Sequence, residues 1–195
     1  MKTIHRARRR AAGFTLIETL IVLLILAIML TLVLPNFLKA IQHQKLLGTA
    51  QQTAILMRLA RLQAIKTASN TVVKIDTAKG MVTAFSDPNN NQTLDSTEKT
   101  LGIIELSKGV TFLAVSGFTS PPTPAVAIFR GDGSTAAAGT FQFQSANGDQ
   151  IEACVMSAAK GNIVLMKYNA TTSLDLGCGA GWQPNGEGAK AWKWK

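Results

Sequence analysis

Near the start of the chain lies a long apolar run whose only charged residue is Glu18. This run extends from Phe14 to Leu34. At about 1.5 Å per residue, a helix of this length crosses a bilayer core of roughly 30 Å. The pattern therefore predicts a transmembrane helix over residues 14–34.

Beyond Pro35 the apolar positions become periodic, with spacings of three and four residues. They are Phe37, Leu38, Ile41, Leu47, Ala50, Ala54, Met57, Ala60 and Ala64. Such spacing predicts an amphipathic helix with one face for the domain and another for neighbouring helices. We assign it to residues 35–70, with the helix itself ending near Thr67, and expect Pro35 to bend or locally open it.

From Thr71 the pattern changes to short β-like runs separated by turn residues. Eight strands are predicted, at Val72–Asp76, Met81–Ser86, Thr100–Glu105, Val110–Val115, Ala125–Phe129, Thr140–Gln144, Ile151–Met156 and Asn162–Tyr168. Short strands at this spacing favour antiparallel sheets. The expected fold is α+β, a long N-terminal helix packed on an antiparallel β-sheet head (residues 71–195) whose tail is irregular from Thr171.

Charge indicates the topology. Of the 20 Lys and Arg residues, several precede the apolar run, namely Lys2, Arg6, Arg8, Arg9 and Arg10. Basic residues before a span stay in the cytoplasm, which places the rest of the chain outside the cytoplasm. Cys154 and Cys178 both lie on that outer side, where an oxidising compartment favours a disulfide over two unpaired thiols. No Gly-rich phosphate loop, Cys/His metal cluster or nucleophile–base pair is recognisable, so we do not expect an enzyme.

Three kinds of N-terminal segment could account for the start of the apolar run: a secretory signal, a signal anchor and a class III signal. A secretory signal has a shorter apolar region and a small-residue cleavage site. A plain signal anchor does not explain the boundary sequence Gly13-Phe14-Thr15-Leu16-Ile17-Glu18. This sequence resembles the class III signal of type IV pilins and type II secretion pseudopilins. The resemblance implies that a prepilin peptidase/N-methyltransferase removes the leader, residues 1–13, after Gly13 and methylates Phe14.

The same resemblance implies an assembly role for Glu18. In this family the glutamate is thought to neutralise the N-terminal amine of a neighbouring subunit. A carboxylate inside a span costs about 2.5–3.5 kcal/mol on insertion scales, which makes an unpaired glutamate a poor choice for a mere anchor. The alternative is a carboxylate that snorkels to the cytoplasmic face.

A second segment is more specific. Residues 56–66, L-M-R-L-A-R-L-Q-A-I-K, resemble the L-R-x-A-R-x-E-A-I-K stretch of the GspH/FimT branch of pseudopilins and minor pilins, with Gln63 in place of the usual glutamate. The resemblance implies a type IV pilin-like fold, single-pass insertion in the inner membrane and assembly with other pilin subunits. It leaves two functions open: a minor pseudopilin that primes or caps a type II secretion pseudopilus, or a FimT-like minor pilin in pilus assembly and DNA uptake.

Residues 87–98 have the ligand spacing of a calcium-binding EF-hand loop. Oxygen-bearing side chains are Asp87, Asn89, Asn91, Thr93, Asp95 and Glu98. Hard oxygen donors at this spacing surround Ca²⁺. Against calcium, Gln92 replaces the usual glycine and the flanks are predicted strands. An ordinary Asn/Asp-rich hairpin turn is the alternative.

The chain ends in alternating cations and indoles, and the residues concerned are Lys190, Trp192, Lys193, Trp194 and Lys195. Lysines bind phosphates and indoles stack on exposed bases, which suggests a DNA-binding tail. Two alternatives remain, tryptophans that pack on the sheet edge and a contact with the membrane surface.

Overall fold

A computed structural model describes residues 14–118, 126–168 and 182–184. One helix, α1 (Leu16–Thr67), precedes a set of strands. The strands are β1 (Thr71–Asp76), β2 (Met81–Ser86), β3 (Thr100–Glu105), β4 (Val110–Ser116), β5 (Val126–Phe129), β6 (Gly139–Ser145), β7 (Gln150–Val155), β8 (Ile163–Tyr168) and β9 (Trp182–Pro184). The chain divides into two compact units, the first ending at Lys39 and the second beginning at Ala40.

In the described part of the first unit, the helix is apolar on all sides. Its side chains from Phe14 to Leu38 are exposed, among them leucines, isoleucines and valines all around the helix. A helix that is apolar all round is suited to lipid or to a bundle core. Helix α1 is long and apolar enough to cross a membrane by length and composition.

In the second unit, the rest of α1 buries one face against the sheets. The buried side chains recur every three or four residues, at Leu46, Ala50, Ala54, Met57, Ala60 and Ala64. Small residues dominate this face, so the helix axis can approach the sheet closely. The helix ends at Thr67, where the sequence placed its end.

The strands form two antiparallel sheets. Sheet A has the order β3-β2-β1-β5, and sheet B has the order β4-β6-β7-β8-β9. The inner faces of both sheets contribute to one core with the helix, including Val73, Phe129, Phe141 and Ile151. On β3, Gly102 leaves room for the helix, because a Cβ there would lie 2.9 Å from Leu56 Cδ1.

The α+β fold with a helix packed on antiparallel sheets is confirmed. All eight predicted strands are present, with ends that agree to within one residue. The division into two sheets was not predicted. The prediction of an irregular tail from Thr171 was wrong in one place. Trp182–Pro184 forms strand β9, which pairs with β8, and Tyr168 is the residue paired with Trp182. Three residues are too few to show alternation, and a proline is tolerated there because β9 is an edge strand.

Candidate assembly site

The N-terminus of α1 is capped by its own sequence. Thr15 Oγ1 accepts a hydrogen bond from the backbone N–H of Glu18 at 3.2 Å, and the Thr15 carbonyl accepts one from Thr19 N at 3.2 Å. Thr15 is therefore the N-cap, and the acidic Glu18 lies in the first turn, where the helix dipole favours a negative charge. The sequence signal for this cap, threonine followed three residues later by glutamate, is present and was missed.

The Glu18 side chain is exposed, and no described residue forms a salt bridge with it. In the residues described, Glu18 is the only ionisable side chain of the first unit before Lys39. A carboxylate without a local partner on an apolar helix has to find a cation elsewhere once water is excluded. Gly13 lies outside the described residues. Phe14, at the start of the described chain, is exposed.

A second exposed feature lies on α1 within the head. Ile55, Leu59 and Leu62 are 59%, 45% and 64% exposed, and their spacing of four and three residues puts them on one stripe. We call these three residues the outer stripe. It faces away from the buried alanine-rich face of the same helix. The helix in the head thus has two apolar faces, and the sheets cover one of them.

Two arginines between these faces fasten the helix to the sheets. Arg58 Nη2 donates to the Ile163 carbonyl at 3.2 Å, and Arg61 Nε donates to the Gly133 carbonyl at 2.8 Å. The bonds reach β8 and the β5–β6 connection, which are distant in sequence. They give the two arginines of the family-like segment a structural function.

The turn after β5 packs on the end of α1 through glycine. A Cβ on Gly131 would lie 2.6 Å from the Ala68 carbonyl carbon, and Gly133 has a φ of +81°. Asp132 Oδ1 accepts the Ser134 backbone N–H at 2.8 Å. Hydrogen bonding from Ser134 lowers the pKa of the Asp132 carboxyl. The turn is shaped by packing and internal hydrogen bonds.

The 87–98 loop is held together by its own polar groups. The buried Asp87 carboxylate accepts the backbone N–H groups of Asn91 and Gln92, both at 3.0 Å. Asp95 Oδ2 accepts the side-chain amides of Asn89 and Asn91 at 2.9 and 2.8 Å. Gln92 has a φ of +59°, so it adopts the left-handed conformation for which glycine is usual at this position. Gln92 thus adopts the backbone conformation that glycine usually supplies in a calcium-binding loop, so the missing glycine does not argue against such a loop.

These contacts do not themselves form a metal site. Within the described residues, no group of three or more His, Cys, Asp or Glu side chains is placed to hold a metal ion. Asp95 is engaged by the asparagine amides, and Glu98 Oε2 accepts the Asp95 N–H at 3.0 Å. The calcium site at Asp87, Asn89, Asn91, Thr93, Asp95 and Glu98 stays a prediction.

The other predicted sites are in the second half of the head. Cys154 is fully buried on β7. Cys178 and the basic aromatic residues Lys190, Trp192, Lys193, Trp194 and Lys195 lie outside the described residues. The disulfide and the tail's DNA binding therefore remain predictions.

Two family models match this chain, over its N-terminus and over its central part. The family model "Type II transport protein GspH" matches residues 49–161, and the model "Prokaryotic N-terminal methylation motif" matches residues 8–34. A solved structure, the minor pseudopilin EpsH from the type 2 secretion system of Vibrio cholerae, is similar over 63% of this chain and 97% of its own, with 14% identity and a TM-score of 0.48. A search of curated proteins gave no match.

The GspH model covers more than half of the 195 residues and spans the features described above. It begins in the buried helix face and includes both helix-fastening arginines, the Gly131–Gly133 turn and strands β1 to β7. The chain therefore belongs to the GspH family of type II transport proteins.

Proposed function

We propose that the chain is a minor pseudopilin subunit of a type II secretion pseudopilus, which primes or caps the filament and supports protein secretion. A prepilin peptidase cuts its leader after Gly13 and methylates Phe14. The helix then holds the subunit in the inner membrane with its head in the periplasm. Other pseudopilin subunits take up this helix during assembly.

The observation that carries the proposal is the exposed and predominantly apolar helix before Lys39, whose one ionisable side chain, Glu18, lies near its capped end. Exposed apolar surface of this extent is stable in lipid or against other helices. Removal of the leader creates a positive amine on Phe14, and methylation keeps that charge. A neighbouring subunit's Glu18 can then pair with the amine in a dry environment, where a lone charge is costly.

The charge pair also selects the register between subunits. In a low dielectric, two opposite charges attract strongly only when they are close, so the longitudinal position that brings amine and carboxylate together is preferred. The apolar surface alone allows the helices to slide.

The test is to replace Glu18 with glutamine. We expect a protein that is cut and inserted normally, because Gly13 and the apolar run are intact, but poorly assembled. The readout is the fraction of the subunit that copurifies with sheared filaments. A matched control is Glu105→Gln, which removes the same charge from an exposed position on β3. Normal incorporation of the Glu18 variant would contradict the pairing role.

A second experiment separates the secretion machine from a pilus. Deleting the subunit is expected to retain secreted enzymes inside the cell while surface motility and DNA uptake continue. Loss of DNA uptake with normal secretion would assign the chain to a type IV pilus.

A further inference from the structure

The outward face of α1 in the head carries side chains at the spacing with which two helices pair. Ile55, Leu59 and Leu62, the outer stripe, are separated by four and three residues and are about half exposed. Lys66 follows Leu62 by four residues, and Gly48 precedes Ile55 by seven. Steps of three and four residues place these positions on one line along the helix, as in the seam of a coiled coil. We call this line the seam.

Gly48 leaves the lower part of the seam open. A Cβ at this position would meet nothing within 4 Å, so no packing inside the subunit requires a glycine there. Glycine inside a helix is less favourable than alanine, because it loses more conformational freedom on folding. A second helix can approach closely at a position without a side chain, and such an approach gives the glycine a use.

The charged side chains on this part of α1 all have the same sign. From Ala40 to Thr67 none is acidic, and the basic ones are Lys45, Arg58, Arg61 and Lys66. Arg61 is engaged with the sheets through its bond to the Gly133 carbonyl. Lys45 precedes Gly48 by three residues, so Lys45 and Lys66 mark the two ends of the seam. They are 21 residues apart, which is roughly 31 Å along a helix.

Arg58 lines a hollow beside the seam. One guanidinium nitrogen, Nη2, donates to the Ile163 carbonyl. A guanidinium group has five N–H donors in a planar fork that suits a carboxylate, so donors remain for a partner. Among the residues that the structure describes, no carboxylate forms a salt bridge with Arg58. The hollow measures about 510 Å³, and its walls are Gln51, Ile55, Arg58, Ile163, Val164 and Leu165.

Two copies of this chain are poorly matched through the seam. In a parallel pair in register, Lys45 lies opposite Lys45 and Lys66 opposite Lys66, and in an antiparallel pair Lys45 lies opposite Lys66. Like charges at facing positions are destabilising, whereas an acidic side chain at the same place is attracted. The face therefore fits a helix of different sequence, with apolar residues along its middle and carboxylates towards its ends.

We propose that the outward face of α1, residues 45–66, is the interface for one helix of a different pseudopilin, whose carboxylates pair with Lys45, Arg58 and Lys66. This assignment rests on the proposed function, because it describes the subunit with which the chain assembles. Repulsion between the lysines opposes self-association, so the chain enters a filament beside other subunits and not in runs of its own kind.

The first test uses a charge-reversed copy of the full chain as the probe. Lys45→Glu and Lys66→Glu give this copy acidic ends on the same apolar seam. Wild type and copy are labelled with different fluorophores and mixed in detergent micelles, and energy transfer reports their association constant. We expect the mixed pair to associate roughly tenfold more tightly than the wild type with itself, because two facing pairs change from repulsion to attraction. The gain should vanish at about 1 M salt, where the Debye length is roughly 3 Å.

The membrane-spanning part of the helix is the same in both chains, so its contribution to association cancels. A control copy carries Lys108→Glu and Lys160→Glu, at two exposed positions outside α1. It should bind the wild type no more tightly than the wild type binds itself. A mixed pair without a gain would overturn the proposal, as would an equal gain with the control copy, which would assign the effect to net charge alone.

The second test uses filaments and needs no charge reversal. Lys45→Gln together with Lys66→Gln should lower the fraction of subunit in sheared filaments roughly tenfold and increase self-association in micelles. Lys108→Gln together with Lys160→Gln should behave like the wild type. Incorporation of the Lys45 and Lys66 variant at the wild-type level would overturn the pairing. Sheared filaments are recovered from a secretion machine and from a pilus alike, so this result is independent of the deletion experiment that tests the proposed function.

Discussion

The outer stripe offers the sharpest test of how this subunit assembles. Ile55, Leu59 and Leu62 lie on the same helix as the buried Met57 and Ala60 but touch solvent. We propose that they pack against the helices of neighbouring subunits. Replacing all three with glutamine keeps a good helix former at each position and leaves the sheet-facing side unchanged.

The expected cost on assembly follows from the exposed fractions. Fully burying a leucine or isoleucine side chain contributes about 1.5–3 kcal/mol relative to leaving it exposed. With 59%, 45% and 64% of each residue still exposed, burial in a filament adds roughly 1–2 kcal/mol per residue, or about 3–5 kcal/mol together. Every 1.4 kcal/mol is a factor of ten, so the association constant should fall by about two to four orders of magnitude.

The stability of the head should barely change. Surface substitutions away from special features are usually within about 0.5 kcal/mol of neutral. In contrast, Met57→Ala, at a position with 0% exposure, should destabilise the head by about 2–5 kcal/mol. This variant is the matched control, because it separates loss of folding from loss of assembly.

The assay combines chemical unfolding of the full chain in micelles with the fraction of subunit recovered in sheared filaments. We expect the triple-glutamine variant to unfold like the wild type and to be nearly absent from filaments. Incorporation at the wild-type level would refute the reasoning, and the stripe would then be an exposed surface without a role in assembly.

Three further predictions concern processing, packing and metal. Replacing Gly13 with leucine should leave the leader attached, and mass spectrometry of the membrane fraction checks this; a mature mass would contradict the class III signal. Gly131→Ala should destabilise the head by about 1–3 kcal/mol, because the added Cβ would contact Ala68 closely. Gly48→Ala is the control: nothing lies within 4 Å of its added Cβ, so it should stabilise helix α1 by about 0.5–1 kcal/mol. Equal effects of the two changes on thermal unfolding would argue against the contact. If the 87–98 loop binds calcium, millimolar Ca²⁺ should raise Tm and Asp95→Asn should abolish the rise, while an unchanged Tm would leave a metal-free turn.

Most of the fold could be predicted because its determinants are local. The strands alternate or carry β-branched and aromatic residues, and turn residues separate them, so each strand is visible within a few positions. The helix is visible from its two hydrophobic patterns, apolar throughout before Pro35 and periodic after it. The division into two sheets depends on which edge strands pair. Strand β5 pairs with β1 and β4 pairs with β6, and no local pattern records this.

The candidate sites were less predictable, because they depend on contacts between distant residues. The arginines of the Leu56–Lys66 segment were recognised by resemblance, but their acceptors on Gly133 and Ile163 lie 72 and 105 positions away. Glu152 sits in a run that reads as an ordinary strand. Its burial between uncharged neighbours becomes visible only when the sheet order places Gln142 and Met166 beside it. Thr15, by contrast, could have been found from its spacing to Glu18.

Helix α1 has two parts with different surroundings: the part before Lys39 is exposed, and the part after Ala40 packs one face on the sheets. Before Lys39 the helix is exposed and apolar on every side, and Thr15 and Glu18 supply its polar end. After Ala40 it needs a narrow face for the sheets, and alanines provide it at positions such as Ala50, Ala60 and Ala64. Because small residues satisfy the sheets, the larger apolar side chains of the outer stripe remain available for a partner. A subunit that only anchored a folded head does not require this stripe, which is why we propose assembly with other subunits as its role.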